Sequence, residues 1–225
     1  MPINQGEIFD ILGTPWIVVD NFHNNIGGYD IIHCAPILKT PELRLELDVS
    51  VAFEGGFVSL GLMTKKPKTT LRHPVGRVYR QEMAEIRTNL VTWFSVYSFD
   101  FDTVRRLPAP PEQGPSIYPG MIFRLSTGLV CVVDHWGCFN DYPLLYIAPV
   151  VPDLINPCPL DVEISPEFQD LFSNHYYVRT DDFFLASREE IDITRNPQTP
   201  MLGYGLLHKT TTALILKFGQ LSLLL

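Results

Sequence analysis

The chain is expected to be mainly β, built as two small barrels in tandem with short helices. Apolar residues come in short runs rich in Val, Ile, Phe and Tyr, which is strand chemistry. Nineteen prolines and fifteen glycines cut those runs every few residues and leave little room for long helices. One stretch of pattern also occurs twice in the same order, about 114 residues apart. With 225 residues, 46% of them hydrophobic, the chain has material for two cores.

The repeat begins where Gly6-Glu7-Ile8-Phe9-Asp10-Ile11 matches Gly120-Met121-Ile122-Phe123-Arg124-Leu125. Without a gap, Ile17-Val18-Val19-Asp20 then meets Cys131-Val132-Val133-Asp134. That makes six identities in fifteen positions, where ordinary composition gives about one. One residue is lost in the next loop. Tyr29 and the run 31–38 then fall on Tyr142 and 144–151, and Leu47-Asp48-Val49 falls on Leu160-Asp161-Val162. Further on, Ala84-Glu85-Ile86 aligns with Glu189-Glu190-Ile191, which gives the first copy about eight extra residues.

The copies are therefore expected over 1–107 and 117–225, joined by the proline-rich, semi-rigid stretch 108–116. In each copy a first strand (8–12; 121–125) starts just after a glycine, and a tight turn follows. A second strand ends at Asp20 or Asp134, and a third runs over 29–38 or 142–151. Shorter strands such as 176–179 come next. Helices are expected over 82–94 and 206–225. The second of these is apolar on nearly every face, and is expected to pack between the barrels or to bind a partner.

In this order (glycine, strand, turn, Val-Val-Asp strand, apolar strand with Ala35-Pro36 or Ala148-Pro149, Leu-Asp-Val strand) the chain resembles the SH3-like barrel of the MazF/PemK toxin family. The resemblance covers about 50 residues of each copy. It implies two tandem SH3-like barrels, and a pseudo-dimer within one chain, because such toxins act as dimers. Family members are endoribonucleases with an arginine in the loop before the second strand and a Thr or Ser after the third. Here those loops are Gly13-Thr14-Pro15 and Ser126-Thr127-Gly128, with no basic residue. Thr40 stands where the hydroxyl would be, whereas the second copy has Pro152-Asp153. Without a cation the transition-state phosphate loses its main electrostatic support.

The net charge of −8 is uneven: −1 over residues 1–90 and −7 over 91–225, which opposes binding of nucleic acid over the whole surface. Residues 55–81 contain no acid and hold Lys65, Lys66, Lys68, Arg72, Arg77 and Arg80, a candidate binding segment for an acidic protein or for RNA. Asp134-His135-Trp136-Gly137-Cys138 sets an acid, a base and a thiol within five residues, but the first copy has no cysteine there. Asp20 and Asp134 are expected instead to cap the turn after the second strand. The four cysteines and six histidines show no metal spacing, so no metal or cofactor is expected, and the thiols are expected to be reduced. No signal peptide or membrane span is expected, and the location is expected to be cytoplasmic.

The functional expectation is a non-catalytic protein-interaction or scaffold protein with a protein partner, one carrying an acidic segment. The resemblance would make it an accessory of a prokaryotic defence or toxin–antitoxin-like system. The alternative is an RNA-binding protein or an endoribonuclease of MazF/PemK type.

Overall fold

The computed structural model describes residues 3–21, 30–94, 117–140, 142–152, 158–164, 175–193, 201–202 and 204–219. The proline-rich segment 108–116 lies outside them. The described chain is mainly β, with two sheets and few helices. Two compact units form, Met1–Val91 with Ile215–Leu225, and Thr92–Leu214. Both cuts fall inside helices, at places where the sequence carries no punctuation. One lies in α1 (Arg80–Phe94), and the other in the C-terminal helix Tyr204–Lys217.

The sheet of unit 1 contains β1 (Glu7–Ile11), β2 (Thr14–Val18), β3 (Ile31–Leu38), β4 (Val49–Ser50), β5 (Phe57–Val58), β6 (Thr64–Pro67) and β7 (Pro74–Arg77). Its order is β4-β5-β3-β2-β1-β7, with β6 also on β3. The sheet of unit 2 contains β8 (Ile122–Leu125), β9 (Gly128–Val132), β10 (Leu144–Pro152), β11 (Val162–Glu163), β12 (Tyr176–Val178) and β13 (Phe184–Ser187). Its order is β11-β12-β10-β9-β8, with β13 also on β10. The short helices α2 (Trp136–Phe139) and α3 (Arg188–Ile193) precede α4 (Tyr204–Lys217).

The strands start as the glycines dictate. Gly6 and Gly120 adopt φ of +84° and +86°, a region that side chains disfavour. Their amides then donate to Val18 and Val132, at 2.8 and 2.7 Å. Alternate residues of the strands turn inward. Phe9, Val18, Ile32 and Cys34 enter the core of unit 1, and Phe123, Val132, Leu145 and Ile147 that of unit 2.

Pairing fixes which positions play the same part in the two sheets. Ile17 faces Ala35 as Cys131 faces Ala148, Ile37 faces Val58 as Val150 faces Val178, and Ile32 faces Lys66 as Leu145 faces Ala186. The offset is 113 at Val49 and Val162, and 120 at Val58 and Val178. It reaches 124 where Val78 N donates to Gly6 O as Leu202 N donates to Gly120 O. Unit 2 is thus the longer one, which corrects the expected surplus in the first copy. The expected match of Ala84–Ile86 with Glu189–Ile191 fails for the same reason. α1 plays the part of α4, and α3 occupies the stretch where unit 1 has the 3-10 turn after β6.

The β1–β2 hairpin closes through Leu12 and Gly13, both with positive φ (55° and 80°), while Asp10 Oδ1 accepts from Gly13 N at 3.0 Å. Such a turn favours Asn-Gly, and Leu12 is fully exposed, so its side chain adds strain without packing. Leu12→Asn should raise stability by about 1 kcal/mol in denaturant titration. A loss of stability would mean that the turn is held by something other than its backbone geometry.

Candidate functional site

β7 lies beside β1, with Glu7 opposite Arg77, so the end of β7 is held over Gly6. The chain enters α1 at Arg80. Glu82 fixes the first turn by accepting from Tyr79 N and Ala52 N, each at 2.6 Å. Arg87 follows two turns later on the same helix face. Arg77, Arg80 and Arg87 thereby converge on one cavity of about 300 Å³, whose floor includes Gln5, Gly6 and Met83.

Gln5 decides how Arg87 is held. Its Nε2 donates to Val19 O at 2.7 Å and to Phe218 O at 3.1 Å, which turns Oε1 toward the arginine. Arg87 Nε donates to that oxygen at 3.1 Å and Nη2 donates to it as well. The guanidinium is anchored by a neutral amide, so its charge is not cancelled. Burial pulls its pKa below the usual arginine value. Among the described residues no carboxylate pairs with any of the three arginines. Nearby acids are otherwise engaged: Glu7 accepts from Asn4 N and Nδ2, at 2.8 and 2.9 Å, and Glu82 from the two amides above.

With the pairing offsets, unit 2 carries Pro119 for Gln5, Met201 for Arg77, Tyr204 for Arg80 and Thr211 for Arg87. Gly120 has the same conformation there and packs against Leu202 and Leu207, as Gly6 does against Val78 and Met83. The three arginines have no basic counterpart at these positions of unit 2.

The residues of the expected basic segment stand on several elements. Lys65 and Lys66 lie on β6, where Lys66 Nζ sits 3.7 Å from the centre of the Trp16 ring. Lys68 opens a 3-10 turn, and Arg72 is exposed in the loop after it. Only Arg77 and Arg80 reach the cavity. Arg87 and Gln5 were not expected; the acid-free stretch ends before Glu82, although Arg80 and Arg87 at i and i+7 share a helix face. Thr40 is exposed before a 3-10 turn and is not part of the cavity, and neighbouring Lys39 pairs with Glu54 at 2.7 Å.

The acid, base and thiol after β9 do structural work. Asp134 Oδ1 accepts from Gly137 N at 2.6 Å and Oδ2 from Tyr146 N at 3.1 Å, the expected turn cap. Burial raises its pKa to about 6, against those amides, the Trp93 indole and Arg188. The indole Nε1 lies outside the geometry of a formed hydrogen bond. Burial lowers His135 to about 4, so at neutral pH it is uncharged. Cys138 is buried in the core of unit 2, and burial, with Asp134 beside it, raises its pKa. Burial likewise raises Cys131 to about 12. These are poor nucleophiles. In unit 2 Asp161 also rises to about 6, chiefly through burial, with Asp181 adding to the effect.

Among the described residues no cluster of His, Cys, Asp and Glu could hold a metal ion, and no helix is long and apolar enough to cross a membrane. No protein-family model matches the chain, and no curated protein matches it. The burial of all four free thiols predicts silence toward Ellman's reagent in the native protein and four equivalents released on denaturation. Rapid native labelling of Cys138 would restore it as a nucleophile.

Proposed function

We propose that this chain is a non-catalytic interaction module, a duplicated SH3-like barrel of MazF/PemK type whose first unit holds an anionic segment of a partner protein. The uncompensated arginine cluster of unit 1 carries this reading. Three guanidiniums around one cavity repel one another, and Arg87 is partly desolvated as well. An arrangement of that kind is favourable when an anion completes it. The parallel pairing registers of the two sheets support the duplication, and the absence of these arginines from the matching positions of unit 2 supports a role beyond folding.

Two features favour binding over cleavage. The loop Gly13-Thr14-Pro15 holds no basic residue where the resemblance implies an arginine, and Lys39, next to Thr40 in sequence, pairs with Glu54. The likeness to toxins makes an accessory role in a prokaryotic defence or toxin–antitoxin-like system part of the proposal.

The test compares a glutamate-rich peptide with a mixed single-stranded RNA at physiological salt. The peptide should bind, and Arg77→Gln with Arg80→Gln should weaken it at least tenfold. Arg72→Gln, outside the cavity, should change it by less than twofold. RNA should remain intact and bind weakly. Cleavage of RNA, or tight RNA binding lost in the double variant, would overturn the reading in favour of an RNA-directed protein.

A further inference from the structure

We infer that the anion recognised by the arginine cavity is a phosphate monoester, carried on a side chain of the partner segment; this rests on the interaction reading above. A carboxylate is planar, has one charge and offers two oxygens. Its best partner is a single guanidinium in a fork. Here three arginines from two elements line one space of about 300 Å³. A phosphomonoester matches that set, with three terminal oxygens in a tetrahedral spread and a charge of roughly −1.5 to −2 at neutral pH.

The way Arg87 is held strengthens the argument. Both its Nε and its Nη2 are committed to Gln5 Oε1, so its orientation is fixed while its charge stays available. The donors of Gln5 are used by Val19 O and Phe218 O, so the amide itself adds no donor for the anion. The backbone of Gly6 is likewise closed, its N–H on Val18 O and its carbonyl on Val78 N. Selection therefore falls to the guanidiniums. Arg80 opens α1, whose positive dipole end lies on the same side.

A partner protein fits the surroundings better than a polynucleotide. Tyr79, 68% exposed, and Val75, 54% exposed, flank the arginines in sequence and offer apolar ground for residues beside the phosphate. Lys66 is engaged over the ring of Trp16 on β2 and does not line the cavity. A polynucleotide needs a track of cations, and the −8 net charge opposes it. One phosphate on a protein segment needs only the cavity.

The experiment uses the full chain and four immobilised probes: a degenerate peptide mixture centred on phosphoserine, the same mixture with serine or with glutamate, and a 5′-phosphorylated single-stranded RNA. Inorganic phosphate serves as competitor. The phosphoserine mixture should bind at least tenfold more tightly than the glutamate mixture and be displaced by phosphate. Its affinity should rise between pH 5 and 7, as the phosphate gains its second charge near about pH 6. Arg77→Gln and Arg80→Gln, both at exposed positions, should each cut it severalfold without moving the unfolding midpoint. Equal binding of the glutamate and phosphoserine mixtures would overturn the phosphate inference and leave the interaction reading standing. Preference for the RNA would overturn the partner class, and no binding of any peptide would overturn both.

Discussion

A buried carboxylate closes the second strand of each sheet, and the rest of each unit is arranged around keeping it satisfied. In unit 1 Asp20 is fully buried and faces Lys217 Nζ at 3.3 Å and His33 Nδ1 at 3.4 Å, with Lys217 itself fully buried. In unit 2 the matching Asp134 takes the amides of Gly137 and Tyr146, with the Trp93 indole close by. A charge withdrawn from water costs several kcal/mol unless it finds a partner, so these positions specify what must lie against them. What lies there is a helix end: that of α4 in unit 1 and that of α1 in unit 2. The offset of 124 that matches Val78 to Leu202 also matches Trp93 to Lys217.

The two solutions differ in chemistry. Unit 2 surrounds its carboxylate with aromatic rings. Trp93 packs against Trp136 at 4.6 Å and meets Tyr142 and Tyr146 edge-on, and Phe94 meets Tyr146 and Phe183. Unit 1 uses a lysine and a histidine. The ionic solution has a consequence for the cavity. Docking of Lys217 brings the next carbonyl, that of Phe218, to Gln5, and Gln5 then orients Arg87. A chain of polar contacts, each link within unit 1, runs from a buried ion pair to the cationic pocket.

Much of the frame was legible in the sequence because strand periodicity and glycine placement are local signals. Gly6 and Gly120, the Val-Val-Asp ends and the Leu-Asp-Val segments all stand where the pairing puts them, and Asp48 and Asp161 cap matching turns. The later parts of each unit were not legible. Apolar helix residues such as Leu90 and Leu214 repeat with no distinguishing pattern, and the sequence of α3 offers α1 a false match that makes unit 1 look the longer. The cavity was half legible: Arg77 and Arg80 stand out as clustered cations. Arg87 is hidden behind Glu82 and Glu85, and Gln5 acquires its part only through contacts to residues 14 and 213 positions away. Long-range partners of that kind leave no trace in local composition.

The dependence of unit 1 on its buried ion pair is tested most directly by a double-mutant cycle on Asp20→Asn and Lys217→Met, read by equilibrium denaturation. Each single change removes one member of a buried ion pair and should cost about 3 kcal/mol. The double variant should lose little more than either single one, giving a coupling of about 2–3 kcal/mol. Additive losses, with coupling below about 0.5 kcal/mol, would show that Asp20 does not hold the C-terminal segment and would contradict the account.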